Sequence, residues 1–193
     1  MKRTLRIVVA DNESILRMDL QEMLEKEGHE VVGMAGDGRQ AVVLAKKYRP
    51  DLVIMDIKMP KMDGLAATQM ISKEGYAPTL LLTAFSDPGT VEKAKESGAM
   101  AYLVKPVQET QLFPAMEIAL SRWQELRQMG DELEQAKDAL EARKTLDRAK
   151  GILMEAHGLT EQEAYRRMRK YSMERRKTIK EVAEAVIRAA EKK

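Results

Sequence analysis

Five short aliphatic runs punctuate the first 112 residues: LRIVVA (5–10), EVVGMA (30–35), DLVIM (51–55), TLLLT (79–83) and MAYLV (100–104). Each has the length of a strand and is apolar almost throughout, the pattern of strands covered on both faces. Between them the periodicity changes to steps of three and four, at Ile15, Leu16, Asp19, Leu20, Met23 and Leu24. Ala41, Val42, Leu44 and Ala45 repeat it, as do Leu65, Ala67, Met70 and Ile71. Strands alternating with helices predict an α/β domain with a five-stranded, doubly wound parallel sheet.

A second regime begins near Ala115. From there to His157 the chain has no proline, and its glycines are Gly130 and Gly151. Leu126, Met129, Leu133, Ala136 and Leu140 form a heptad seam that loses register at Arg143 and Asp147. Two heptads fit a dimerising coiled coil, with a connecting helix packed on its own domain as the alternative. Gly130 should cost about 1 kcal/mol relative to alanine, making it a point of bending or local weakness. Three further helical stripes follow. The first, Leu146, Ala149, Ile152, Leu153 and Ala156, stops at Gly158 in the position of a C′ glycine. Capping boxes at Thr160–Glu163 and Thr178–Glu181 open the other two. One should turn Ala164, Tyr165, Met168 and Tyr171 inward, the other Ile179, Val182, Ala183, Val186 and Ile187. The expected organisation is an α/β domain at 1–120, a linking helix at 121–145 and a small three-helix bundle at 146–193.

Composition narrows the chemistry. The chain lacks cysteine, which excludes disulfides, thiol catalysis and cysteine-based metal sites. His29 and His157 sit in unrelated contexts, so a zinc site is not expected, and surface or helix-end positions are their default. The short apolar run at the N-terminus suits neither a leader nor a membrane span, which places the chain in the cytoplasm. The net charge of +2 is uneven, because residues 149–193 carry twelve Lys/Arg against seven Asp/Glu. A polyanionic partner, or a lysine-rich solvated end, would explain that excess.

In an open α/β sheet, ligands bind outside the carboxyl ends of the strands. Here those ends carry Asp11-Asn12-Glu13, Asp56, Thr83-Ala84 and Lys105-Pro106. One aspartate after a strand is usually a helix cap, but a carboxylate, hydroxyl and lysine together suit phosphoryl transfer to a carboxylate. Such a nucleophile needs a divalent cation, and Asp11, Asn12, Asp56 and the backbone carbonyl of Lys58 could hold Mg²⁺. Lys105 would offer positive charge and Thr83 a hydroxyl donor. No glycine-rich nucleotide motif is present, and no second catalytic constellation suggests an independent enzyme.

The residues Asp11-Asn12, VIMDIKMPKMDG around Asp56, Thr83-Ala84 and Lys105-Pro106 resemble a two-component response-regulator receiver. The resemblance covers residues 4 to about 120 and implies a flavodoxin-like fold. It makes Asp56 the phosphoacceptor, Thr83 and Tyr102 a switch pair, Lys105 the phosphoryl contact and Lys105-Pro106 a cis peptide. It also implies a sensor histidine kinase as donor. Asn12 departs from the family's second acid, so metal affinity should fall.

Residues 145–188 resemble an ANTAR domain, a three-helix RNA-binding antitermination module. The positions carrying the resemblance are Ala149-Lys150-Gly151, Glu163-Ala164-Tyr165, Arg169, Ser172 and Val182-Ala183. It implies binding to paired hairpins in nascent transcripts. Cations that avoid the apolar stripes, Lys150, Arg167, Arg169, Lys170 and Arg176, are the expected contacts, with Gly151 admitting close backbone approach. Phosphorylation would favour a homodimer. A DNA-binding factor with the same receiver is the main alternative, weakened by the acidic start Glu161-Gln162-Glu163 of its candidate helix. A protein-docking regulator is the other.

Overall fold

The computed structural model describes residues 3–84 and 88–191, with backbone only at 88, 90 and 91. Chain contacts divide it into two compact units, 1–127 and 128–193.

The first unit is built on five strands, β1 (Arg6–Ala10), β2 (Glu30–Ala35), β3 (Leu52–Asp56), β4 (Thr79–Thr83) and β5 (Ala101–Val104). All pair in parallel, in the order β2-β1-β3-β4-β5. The five expected strands lie within a residue of these bounds. Helices α1 (Ser14–Lys26), α2 (Gly38–Tyr48), α3 (Gly64–Lys73) and α4 (Pro88–Glu96) connect them, and α5 begins at Glu109. Strand alternation sorts the core into two layers. Ile7, Val9, Leu52, Ile54, Leu80 and Leu82 pack on one face with Leu20, Leu24, Leu112 and Met116. Val8, Ala10, Val53, Met55 and Leu81 pack on the other with Ala41, Ala45, Ala67 and Ile71. The sheet order reverses between β1 and β3, so the carboxyl ends of these two strands flank the crevice.

Two details differ from expectation. Ile15 shares the spacing of the α1 stripe but is exposed, because the buried stripe narrows to Leu20 and Leu24. His29 is buried rather than a surface residue. Its Nδ1 accepts from the Leu5 amide at 3.3 Å, and its ring lies 6.2 Å from that of Phe113. His157 does end a helix, and it is exposed.

The linking helix and the first bundle helix are not separate elements. Helix α5 runs unbroken from Glu109 to His157, 49 residues, passing through Gly130 and Gly151. Pro114 near its start removes one backbone donor without ending it. The helix stops at Gly158, whose φ of +64° and bond to the Met154 carbonyl (2.9 Å) make the αL stop that the sequence anticipates. Leu126, Met129, Leu133 and Leu140 are all more than half exposed on it.

In the second unit, α6 (Glu161–Arg175) and α7 (Ile179–Ala190) complete the bundle. Both capping boxes form as expected. Among the described residues of this unit five are buried, Ala149, Ala164, Met168, Val182 and Ala183, and Leu146, Leu153, Val186 and Ile187 pack against their cluster. Tyr165 and Tyr171 do not join it. They are 39% and 46% exposed, because the α6 stripe that reaches the core is only as wide as Ala164 and Met168.

Candidate functional site

The strand ends that the sequence singles out do meet. Asp11 follows β1, Asp56 closes β3, and Lys105 follows β5. The Lys105 ammonium bridges both carboxylates, 2.6 Å from Asp11 Oδ2 and 2.7 Å from Asp56 Oδ1. Asp11, Asp56 and Thr83 are buried. Lys105-Pro106 is cis, as the receiver resemblance implies.

Electrostatics set the carboxyl apart. Burial pushes Asp56 above its ordinary carboxylate value, against the pull of Lys105, and neighbouring Asp11 adds to the rise. For Lys105, burial would lower the ammonium's pKa, but its hydrogen bonds to Asp11 and Asp56 carry it upward. The cluster therefore concentrates negative charge in a low-dielectric crevice with one fixed cation.

Surrounding backbone is built to hold these groups. Asp11 Oδ1 accepts from the Glu13 amide at 2.9 Å, and Arg17 Nη1 donates to the Asp11 carbonyl at 2.5 Å. A Cβ on Gly64 would stand 2.1 Å from the Asp56 carbonyl, so α3 can start close behind the aspartate only with glycine there. Arg17 and a second pair, Asp37 with Lys61, escape the sequence reading. Asp37 caps α2 by accepting from Gln40 N, while its other oxygen takes Lys61 Nζ at 2.7 Å. The Lys61 contact, with the capping bond, holds the Asp37 carboxyl below its ordinary value. It ties the loop carrying Lys58 to the one before α2, and the Gly38 amide bond to the Met62 carbonyl (3.1 Å) reinforces it.

Of the other predicted residues, Asn12 and Lys58 are exposed at the same edge. Among the described residues no group of three or more His, Cys, Asp or Glu could hold a metal. Two carboxylates supplemented by neutral oxygens nevertheless suit Mg²⁺, which takes one or two carboxylates and keeps several waters. Tyr102 is 41% exposed on β5, opposite Leu81, two residues along from the position opposite Thr83.

On the output unit, Arg167, Arg169, Lys170 and Arg176 are exposed. Lys150 is different. Only 14% of its side chain is exposed, and its ammonium is shared between Asp147 (2.7 Å) and Glu161 (2.6 Å). Those hydrogen bonds raise its pKa and lower that of Asp147, so its charge is already spoken for inside the bundle. Gly151 has nothing within 4 Å of where a Cβ would lie. Among the described residues no neighbour demands glycine at this helical position.

A five-stranded parallel sheet with a buried Asp–Asp–Lys crevice at its switch point defines the receiver class of phosphorelay proteins. Comparison with known proteins extends this. The response regulator receiver domain family matches residues 7–117, and the ANTAR domain family matches 134–187. The transcriptional regulatory protein PdtaR of Mycobacterium tuberculosis is 48% identical over 182 residues, spanning 94% of this chain and 89% of that protein. The chemotaxis protein CheY of Bacillus subtilis is 37% identical over 117 residues, covering 60% of this chain and 98% of CheY. Among solved structures, the signal receiver domain of NarL from M. tuberculosis superposes with a TM-score of 0.59. It is 30% identical and covers 62% of this chain and 98% of that one. A CheX–CheY complex with BeF₃ and Mg²⁺ from Borrelia burgdorferi gives a TM-score of 0.54 at 25% identity, covering 57% of this chain and 84% of that one. This chain belongs to the response regulators that couple a receiver to an ANTAR domain. It is a two-component regulator acting as a transcription antiterminator. No helix among the described residues is long and apolar enough to cross a membrane.

Proposed function

We propose that Asp56 is the phosphoacceptor and that its phosphorylation controls RNA binding by the output helices. The observation that carries this is the Lys105 ammonium bridging Asp11 and Asp56 at the strand ends. An oxygen of Asp56 attacks the phosphorus of a phosphohistidine on a sensor histidine kinase. The P–N bond breaks, its electron pair leaves with the imidazole, and an aspartyl phosphate forms. Lys105, now paired with both carboxylates, would neutralise the transferred group. Mg²⁺ bound by Asp11, Asp56, the Asn12 amide and the Lys58 carbonyl would neutralise charge on the phosphoryl oxygens. Asn12 brings no charge of its own, so metal affinity should be lower than with an acid there.

Thr83, buried beside the crevice, is the group that would follow the new phosphoryl oxygens, and Tyr102 would then turn inward. The exposed seam Leu126–Leu140 gives the phosphorylated chain a surface on which to dimerise. Two copies present two output modules to two hairpins of a nascent transcript, which puts the protein in the cytoplasm. Arg167, Arg169, Lys170 and Arg176 are exposed for phosphate contact, and Gly151 lets backbone approach. Lys150 would bind RNA only by releasing Asp147 and Glu161.

Incubating the chain with a phosphorylated kinase and Mg²⁺ tests the first step. Hydroxylamine- and alkali-labile phosphate should appear on the wild type and be absent from Asp56→Asn. Equal labelling of both would place the acceptor elsewhere.

A further inference from the structure

Between α5, α6 and α7 lies an apolar groove of about 260 Å³. Met168 and Val182 form its buried floor, and Leu153 and Val186 its walls. At its mouth stand Tyr171, with nearly half of its surface in water, and Arg167. A second guanidinium, Arg175, lies 5.6 Å from the centroid of the Tyr171 ring.

The combination is selective. A groove serving only to pack an aliphatic side chain would gain nothing from one guanidinium in its lining and a second against its tyrosine ring. An acidic peptide would satisfy the arginines but leave the apolar floor unfilled. An unpaired nucleobase fits both halves, because its ring is planar and its flanking phosphates are negative. Bases splayed from RNA loops are commonly held by stacking on aromatic rings and arginine planes. Tyr171 is not needed for the buried α6 contact, which Ala164 and Met168 make.

We propose that this groove is a nucleobase site, in which one unpaired base of a hairpin loop stacks on Tyr171 while its phosphates meet Arg167 and Arg175. The proposal rests on the RNA reading above and adds to it a point of direct base contact. Lys170 and Arg169 then serve backbone attraction, and the groove selects a loop with a base free to enter.

The test uses the full chain and a synthetic two-hairpin RNA carrying 2-aminopurine at each loop position in turn. Wild type should bind, and fluorescence should change at one position. Tyr171→Ala should weaken binding roughly ten- to hundredfold, the range for losing one stacked base, and abolish the signal. Tyr171→Phe and Tyr171→Trp should keep both. Ala189→Met, which fills the groove and leaves the tyrosine in place, should also abolish the signal, with helicity by circular dichroism unchanged. Lys170→Gln should lower affinity for every loop sequence but preserve the signal. Unaltered affinity and signal in Tyr171→Ala would overturn the base site while leaving RNA binding intact. Loss of self-association by Tyr171→Ala in sedimentation without RNA would overturn it too, marking the groove as a contact between copies. Failure of the wild type itself to bind RNA would overturn the RNA reading and this site together.

Discussion

Asp56 combines burial with a neighbouring carboxylate and one shared ammonium, and its carboxyl is held above the ordinary value of 3.8. A raised value in the folded state means that the contribution to stability is present below the unfolded pKa. It is lost as pH rises through the folded one. At neutral pH the ionised group therefore weighs against folding. Asp56→Asn should stabilise the receiver by about 1 kcal/mol, seen as a higher urea midpoint in the fluorescence of Trp123, which packs on its core. A lowered midpoint would show that the Lys105 pairing outweighs desolvation. Asp11, Asp56, Thr83 and Lys105 were legible in the sequence because strand ends can be counted from apolar runs, and this topology brings them to one edge. The Asp37–Lys61 tie was not. Asp37 reads as an ordinary helix cap and Lys61 as an ordinary loop cation, 24 residues apart. Tyr171 was misplaced because its spacing suits an inward stripe, whereas the bundle core accepts only the narrower one through Ala164 and Met168.

At the scale of elements, α5 shows where periodicity misleads about boundaries. Each apolar stripe along it was visible, but a stripe change on one helix looks like a break between two. The middle stripe is exposed. Leu133→Lys should thus leave helicity and melting unchanged in the unphosphorylated monomer. It should abolish association in sedimentation equilibrium with beryllofluoride and Mg²⁺. The capping boxes carry a different prediction. Bonds from Thr160 and Thr178 hold Glu163 and Glu181 below their ordinary value of 4.5. Carboxylates with depressed folded values contribute stability above 4.5 that is lost as pH falls through the lower folded values. The thermal midpoint of the output helices should drop as acid is added below that point. Thr160→Ala and Thr178→Ala should each cost about 1 kcal/mol near neutrality and flatten the acid limb in melts followed at 222 nm.

At the scale of the whole molecule, the two units differ in their reserves. The receiver buries two layers of side chains on its sheet, the described output unit only five residues and their partners. Met168→Ala should cost about 2–5 kcal/mol, enough to melt the output helices. Circular dichroism should register that loss at low urea, while the Trp123 transition stays in place. The measurement closest to the central claim is binding of the full chain to a paired-hairpin RNA and to duplex DNA across a salt series, with and without beryllofluoride and Mg²⁺. A phosphoryl-controlled antiterminator predicts RNA preference, affinity that falls with salt, and tighter RNA binding with the mimic in the wild type but not in Asp56→Asn. Preference for DNA, or RNA affinity indifferent to the mimic, would contradict it.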